Sequence, residues 1–246
     1  MFIIKSDDCY GLLDMEQHTA YIKNERISIP LNSVFEPGDT IKLRSKTFVI
    51  LNPDPQFFYR ISGRRTQTIL PVDAAYIIYT GSINGSKKIL ESGVGTGNLS
   101  YSILNSINAS GKLVSVDIDK QNIENARKNV YSLMNPDNWE LINGDIKTFK
   151  TEELFDTIIL DMPEPWECVD NLKNNLKFGG YFITYSPTYN QAEKNVLSLN
   201  KNNFTVLETV ELIKRNILVR ENATRPDNNI IGHTAFITIA VKLNVL

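Results

Sequence analysis

Cysteine, histidine and long apolar runs are scarce in this sequence. Its 246 residues include two cysteines and two histidines. Cys9 and Cys168 give no disulfide framework, neither lies in a recognisable nucleophile motif, and no Cys/His cluster has the spacing of metal ligands. No segment approaches eighteen consecutive apolar residues, and the start of the chain lacks the regions of a signal peptide. We therefore expect a cytoplasmic protein without a metal ion or a membrane span.

The pattern of apolar residues divides the chain near residues 65–70. Before this point, short alternating runs are broken by Asn, Pro and Gly, which predicts a small all-β domain over 1–65. Over 66–246, strands and helices alternate, which indicates a doubly wound α/β sheet with helices on both faces. Its predicted elements include a helix over 119–133, a chain break at Gly179-Gly180 before a strand over 181–185, and an antiparallel pair over 204–213 and 234–241.

A strong excess of positive charge is also absent. The formal net charge is −2 and the isoelectric point is near 5.8, whereas a strong RNA-binding domain usually has a value above about 9. Basic residues are still concentrated in two groups, which are Lys42, Arg44 and Lys46, and then Arg60, Arg64 and Arg65. The first group is explained equally well as a solvated strand edge. The second group gives the better candidates for RNA contact.

A glycine-rich turn follows a predicted buried strand. Residues 89–97 read Ile-Leu-Glu-Ser-Gly-Val-Gly-Thr-Gly, so Gly93, Gly95 and Gly97 come directly after an apolar run. Without Cβ atoms the backbone can adopt positive φ and a ligand can lie against it, and a helix from about Asn98 would direct its free N–H groups at that ligand. The spacing differs from the dinucleotide fingerprint G-x-G-x-x-G and resembles the first motif of class I S-adenosylmethionine-dependent methyltransferases. The alternative is a purely structural tight turn.

Two acidic residues follow at the ends of the next predicted strands. The run 112–116 ends at Asp117, twenty residues after Gly97, where a carboxylate can accept hydrogen bonds from both ribose hydroxyls. The run 141–145 places Asp145 near the adenine of such a ligand. Asp145 alone would be explained as the cap of an Asx turn. Because it follows Glu91 and Asp117 in order, the three acids together predict a nucleoside site.

A further acid and a tryptophan follow the fourth strand of the unit. The apolar run 155–160 stops at Asp161-Met-Pro-Glu-Pro-Trp166. Ligands of open α/β sheets bind at this carboxyl edge. The two prolines fix φ twice and remove two N–H donors, which gives a stiff loop that holds Asp161 in place. We expect Asp161 to be catalytic; the alternative is an Asp that caps the next helix, with Trp166 in ordinary packing.

These motifs together resemble one family over nearly the whole chain. Asp-Met-Pro-Glu-Pro-Trp is similar to the Asp-x-Pro-x-Pro-Trp motif of the tRNA (adenine-N1)-methyltransferases that modify position 58 in the T-loop. Two further segments agree with that family. They are Arg64-Arg-Thr-Gln67 with Pro71 and Asp73, and Arg225-Pro226 with Gly232-His-Thr-Ala-Phe236.

The resemblance implies a class I methyltransferase (Rossmann-like) fold, with an S-adenosyl-L-methionine-binding catalytic domain over 66–246 and a small β domain that contacts RNA. It implies tRNA as the substrate, adenine 58 as the target and a homotetramer, and it leaves open whether adenine 57 is also modified. The implied cofactor-binding residues are Gln67, Glu91, Gly93, Gly95, Gly97, Asn98, Leu99, Asp117, Asp145 and Asp161. The implied substrate-binding residues are Arg60, Arg64, Arg65, Trp166, Arg225 and His233, although His233 is better explained as a structural, hydrogen-bonded histidine.

The chain departs from the family pattern at two positions. Leu70 stands where the family usually has Tyr, and Val72 stands where it usually has Lys. A stacking role for an aromatic residue at 70 is therefore absent from this sequence. Two other functions are compatible with parts of the pattern. One is a methyltransferase of the same fold that acts on protein, such as an isoaspartate O-methyltransferase, and the other is a non-catalytic RNA-binding scaffold subunit.

Overall fold

The structure, a computed structural model, describes residues 1–23, 25–63 and 67–244. The strands are β1 Phe2–Lys5, β2 Tyr10–Asp14, β3 Thr19–Ile22, β4 Glu25–Ser28, β5 Thr40–Leu43, β6 Lys46–Leu51, β7 Lys88–Ser92, β8 Lys112–Asp117, β9 Trp139–Asn143, β10 Phe155–Leu160, β11 Leu176–Ser186, β12 Phe204–Glu211, β13 Ile217–Leu218, β14 Arg225–Pro226 and β15 Phe236–Lys242. The helices are α1 Pro55–Ile61, α2 Pro71–Thr80, α3 Asn98–Ser106, α4 Lys120–Tyr131, α5 Val169–Leu172 and α6 Tyr189–Lys201, with short 3-10 helices at Pro165–Glu167 and Lys173–Asn175.

The first part of the chain forms an antiparallel sheet with its own core. Its strand order is β4-β3-β2-β1-β6-β5. Alternating side chains such as Ile4, Leu13, Phe48 and Ile50 are buried together on one face and form that core. This confirms the small N-terminal β unit.

The prediction that residues 1–65 contain only strands is wrong, because α1 lies within them. The sequence Asn-Pro-Asp-Pro looks like a break, but Pro55 occupies the first turn of the helix, where a missing N–H costs nothing. The predicted domain boundary at 65 falls among residues 64–66, outside the described residues, and stays a prediction.

The second sheet is the one that forms the predicted α/β unit. Its strand order is β12-β15-β11-β10-β7-β8-β9. The strands β11, β10, β7, β8 and β9 are parallel, and β15 runs antiparallel between β11 and β12. The predicted antiparallel pair is therefore confirmed. Strand order reverses between β7 and β10, and such a switch point is where open α/β sheets bind ligands.

Both faces of this sheet are covered by helices. In both β7 and β10, two consecutive side chains point to opposite faces of the sheet. Ile89 of β7 and Ile159 of β10 pack with α2, α3 and α4, whereas their neighbours Leu90 and Ile158 pack with α5 and α6. Buried parallel strands read as continuous apolar runs for this reason. The doubly wound fold class is confirmed. No helix in the described ranges is both long and apolar enough to cross a bilayer.

The predicted chain break at Gly179-Gly180 is wrong. Strand β11 runs through both glycines and carries a bulge, because its register with β10 shifts between the pairs Phe155–Leu176 and Thr157–Tyr181. Gly179 adopts φ +73° in this bulge. Glycine inside a strand pattern marks a bulge as often as an end, and only the pairing with β10 distinguishes the two cases.

Candidate active site

A cavity of about 590 Å³ opens at the switch point of the second sheet. Its lining comes from the ends of β7, β8, β9 and β10 and from the segment before α2. The residues that line it include Gln67, Ser92, Asp117, Ile118, Asn122, Asp145, Ile146, Lys147, Asp161, Met162 and Glu164. The ends of β7 and β10 are joined here, since the Asp161 N–H donates to the Ser92 carbonyl at 2.8 Å.

The glycine-rich turn brings the backbone of β7 against that of β10. Gly93, Gly95 and Gly97 all have positive φ, at +87°, +53° and +81°. A Cβ on Gly93 would lie 1.8 Å from the Asp161 carbonyl oxygen, so only glycine fits there. Gly97 instead packs against Ala126 and Val130 of α4. Gly93 permits the close approach of the backbone at the end of β10, and Gly97 permits the packing of α4.

Asp117 holds the glycine-rich turn in shape. Its Oδ2 accepts from the N–H groups of Val94 at 3.0 Å and Gly95 at 3.3 Å, and its Oδ1 accepts from the Asp119 N–H at 2.8 Å. The sequence predicted a ribose contact for Asp117, and the residue does line the cavity. Its bonds to the turn were not predicted, because spacing along the chain does not show that β8 passes directly beneath the turn.

Glu91 lies under the turn and is buried. Its Oε2 accepts from the hydroxyls of Ser100 at 2.6 Å and Ser115 at 2.7 Å. Its Oε1 has no hydrogen-bond partner among the described residues. Burial raises the pKa of Glu91 to about 7, and the nearby Asp117 carboxylate adds to this.

Asp161 faces the same cavity from the end of β10. Burial raises the pKa of its carboxyl from the ordinary 3.8 to about 7, and repulsion from Glu91 and Asp117 contributes. Three carboxyl groups thus converge with little positive charge near them in the described structure, and one buried oxygen is left unpaired. A cationic ligand would supply the missing positive charge and a partner for the unpaired oxygen.

The far end of the cavity combines an acid with apolar surfaces. Asp145 both caps an Asx turn, by accepting from the Lys147 N–H at 2.9 Å, and lines the cavity. The apolar Ile118 is 73% exposed although it follows a buried strand, and with Ile146 it gives a surface on which a planar base can lie. Ile118 was missed from sequence, where an apolar residue immediately after the strand-ending Asp117 was the available signal.

An ion-pair cluster at the cavity rim was also missed. Lys147 contacts Glu164, and its Nζ lies 2.6 Å from Glu167 Oε2. The cluster ties the loop after β9 to the Pro-rich loop after β10. Because Lys147 and Glu164 both line the cavity, the cluster fixes the width of the opening.

Three further predicted cofactor residues lie beside or beneath the turn. Gln67 lines the cavity. Asn98 is buried and its side-chain amide donates to the Ile69 carbonyl at 2.6 Å, so it anchors the segment that carries Gln67. Leu99 is buried in the core behind the turn.

None of the predicted substrate residues that the structure describes lines the cavity. The Lys194 ammonium lies over the Trp166 ring, with its Nζ 4.6 Å from the ring centroid, and the Ser198 hydroxyl donates to the Trp166 carbonyl. Because Lys194 and Ser198 both belong to α6, Trp166 packs against that helix. His233 contacts Glu211 and the Pro187 carbonyl, at 2.5 and 2.7 Å. Arg225 is exposed on the β13-β14 hairpin.

Arg60 lies on α1, outside the cavity, and lines a separate groove. Arg64 and Arg65 lie outside the described residues. Within 1–23, 25–63 and 67–244, no group of three or more His, Cys, Asp or Glu side chains has the geometry to hold a metal ion. The expectation of no metal stays a prediction.

Sheet order, glycine-rich turn and acidic cavity together define a class I methyltransferase that uses S-adenosylmethionine. A family model described as the tRNA methyltransferase complex GCD14 subunit matches residues 46–225. The chain belongs to this family. The sequence predictions of the family, the fold class, the cofactor and a tRNA (adenine-N1)-methyltransferase activity are therefore confirmed.

Individual relatives agree with this assignment. The chain is 30% identical, over 94% of both chains, to the tRNA (adenine(57)-N(1)/adenine(58)-N(1))-methyltransferase TrmI of Methanocaldococcus jannaschii. A crystal structure of an S-adenosylmethionine-dependent O-methyltransferase from Thermotoga maritima superimposes with a TM-score of 0.84 at 26% identity, covering 100% of this chain and 93% of that one. The tRNA (m1A58) methyltransferase TrmI of Aquifex aeolicus, at 24% identity and a TM-score of 0.80 over 99% of this chain and 97% of that one, supports the fold.

Proposed function

We propose that this chain transfers a methyl group from S-adenosylmethionine to N1 of the T-loop adenine at position 58 of tRNA, with adenine 57 as a second target. The observation that carries the proposal is Asp161, held at the mouth of the acidic cavity by a stiff Asp-Met-Pro-Glu-Pro-Trp loop. Adenine 57 is included because the relative from M. jannaschii is named for both positions.

The cavity suits a cationic nucleoside cofactor. The glycine-rich turn and the unpaired Glu91 oxygen favour the charged methionine part, and Asp117, Asp145 and Ile118 favour the adenosine part. When bound, S-adenosylmethionine supplies an electrophilic methyl group on a sulfonium. Glu91 and Asp161 bring negative charge to that end of the cavity.

Asp161 acts on the base that accepts the methyl group. Adenine N1 carries an in-plane lone pair and needs no covalent nucleophile from the enzyme. As the N1–methyl bond forms and the bond between the methyl group and sulfur breaks, the positive charge of the sulfonium passes to the base and spreads to the exocyclic N6. An ionised Asp161 that accepts from the N6–H stabilises this state more than the neutral substrate. The carboxylate is available for this contact because no described residue donates a hydrogen bond to it.

The activity experiment measures methyl transfer from labelled S-adenosylmethionine to unmodified tRNA transcripts. We expect label in the wild-type transcript, less label when adenine 58 or adenine 57 is replaced, and none when both are replaced. Label in protein but not in RNA would favour a protein methyltransferase. Cofactor binding without any transfer would leave a ligand-binding scaffold, and no cofactor binding would contradict the proposed function entirely.

Cofactor binding is expected to release protons near neutral pH. The pKa of Glu91 and that of Asp161 are raised to about 7, and a bound cation lowers both because it favours the ionised forms. The affinity should therefore rise between pH 6 and pH 8 and level off above. Calorimetry at pH 7 in buffers of different ionisation enthalpy should detect about half to one proton released per cofactor.

The matched control for proton release is Asp161→Asn, which removes one of the two titrating groups. It should release fewer protons than the wild type. A binding enthalpy that is independent of the buffer at pH 7 would show that the carboxyl groups are already ionised in the free protein.

We further propose that the chain is a cytoplasmic, RNA-binding homotetramer. The segment between β12 and β15 exposes several apolar side chains, namely Ile213, Ile217, Val219, Ile230 and Ile231. Apolar surface of this extent commonly marks a protein interface. Light scattering coupled to gel filtration tests the assembly, and a monomer at micromolar concentration would contradict it.

A further inference from the structure

A second groove lies between the N-terminal sheet and the segment that joins β12 to β15. It has a volume of about 450 Å³. Tyr10, Phe57, Tyr59 and Arg60 line one side, and Lys214 lines the other. These residues come from opposite ends of the chain, so the groove exists only in the folded protein.

The groove differs from the cofactor cavity in the charge of the residues that line it. The cavity is lined by several carboxylates, including those of Asp117, Asp145 and Asp161, against one Lys147. The groove has Arg60 and Lys214, and none of the described residues that line it carries a carboxylate. An acidic cavity suits a cation, whereas a cationic groove suits a phosphate chain.

The groove also provides planar surfaces on which a base can stack. The Arg60 guanidinium lies 4.4 Å from the Tyr59 ring centroid and 5.7 Å from that of Tyr10. The Tyr10 and Phe57 rings are 6.0 Å apart. Aromatic rings next to arginine planes are the usual platform for the bases of single-stranded nucleic acid.

The groove lies next to the catalytic cavity. Gln67 lines the cavity and Leu70 lines the groove. The two residues are three positions apart, so the chain between them spans at most about 10 Å. Leu70, which replaces the aromatic residue usual in the family, therefore faces a groove that supplies aromatic rings from other elements.

We propose that this groove binds the nucleotide adjacent to the target adenine, with its base stacked on the Tyr10–Arg60–Tyr59 platform and its phosphate near Lys214. The proposal rests on the proposed function. A T-loop adenine must leave its stack before N1 is reachable, and its neighbour then loses a stacking partner. The groove restores that stacking and so holds the opened loop.

The test measures tRNA affinity without cofactor for Arg60→Leu, Tyr10→Leu and Lys214→Ala at several salt concentrations. Arg60→Leu and Tyr10→Leu should each weaken binding about tenfold or more. Arg60→Leu and Lys214→Ala should lower the slope of log affinity against log salt by about one each. Arg127→Leu on α4 and Lys201→Ala on α6 are exposed controls of the same residue types and should leave both values unchanged, and all variants should bind S-adenosylmethionine normally.

A transcript with an abasic site at position 57 or 59 tests the stacked base directly. Removing the base that stacks should weaken binding to the wild type and to Lys214→Ala, but have little further effect with Tyr10→Leu, since the contact is already lost. Arg60 and Lys214 are exposed, so their variants test the groove even if Tyr10→Leu is unstable.

Several outcomes would overturn the groove proposal. Equal binding by groove variants and controls, in an enzyme that methylates tRNA, would reject the groove and leave the proposed function intact. A change of oligomeric state in Arg60→Leu or Lys214→Ala would identify the groove as a subunit contact instead. A wild-type protein that neither binds nor methylates tRNA would reject both proposals.

Discussion

Replacing Asp161 with asparagine is expected to lower kcat for tRNA methylation by about 10²- to 10³-fold. The amide keeps the size of the carboxyl group but not its charge, so it stabilises the positive charge that develops on N6 far less. The effect should appear in kcat at saturating tRNA and cofactor, because the contact strengthens only as the methyl group is transferred. Rapid-quench assays with labelled cofactor measure this step.

Folding stability provides the control for Asp161→Asn. The folded-state pKa of Asp161, about 7, is above its ordinary 3.8, so its contribution to stability is fully present below pH 4 and is lost as the pH rises through 7. The variant, which does not titrate, should be more stable than the wild type at pH 8, and the difference should vanish near pH 4. The full difference in pKa corresponds to about 4 kcal/mol, and partial exposure of the group to solvent reduces the expectation to about 1–2 kcal/mol.

A variant that is slower and less stable at pH 8 would have lost activity through misfolding. A variant that is more stable and retains wild-type kcat would contradict the role of Asp161. Together the two measurements separate an electrostatic contribution to the transition state from a structural one. Active-site carboxylates of this kind lower stability because their charge is needed for function.

Local sequence patterns predicted the strands that carry the site but not all of their surroundings. The apolar runs that end at Ser92, Asp117 and Leu160 give the parallel strands, and the two prolines after Asp161 give its rigid loop. These features depend on residues close together in the chain. Where strand ends meet at one edge, the acids that follow them must meet as well.

Contacts between distant segments could not be predicted in the same way. Asp117 bonds to the turn because β8 lies beside β7, and Trp166 packs on α6 because Lys194 and Ser198 of that helix lie beside it. The platform of Tyr10 and Arg60 requires β2 to lie against α1. No spacing rule relates these positions, so only the packed structure brings them together.

The substitution Gly93→Ala is expected to abolish cofactor binding and to destabilise the protein by more than about 3 kcal/mol. Two effects combine at this position. Its φ of +87° is unfavourable for alanine, and the added Cβ would lie 1.8 Å from the Asp161 carbonyl oxygen. Because the atoms that the added Cβ would meet all belong to the Asp161 backbone, neither a side-chain rotation nor a local repacking relieves the clash. The end of β7 and the end of β10 would have to separate, which displaces Asp161 from the cavity.

Gly179→Ala is the matched control, since it isolates the cost of backbone conformation. Gly179 has a similar φ of +73°, but a Cβ there would meet nothing within 4 Å. This variant should lose about 1–2 kcal/mol and bind S-adenosylmethionine normally. Denaturant unfolding and calorimetry measure the two properties. If Gly93→Ala lost no more stability than Gly179→Ala and bound S-adenosylmethionine equally well, the close approach of β7 to β10 would not be what positions Asp161. The shape of the cavity would then depend on the Asp117 contacts alone.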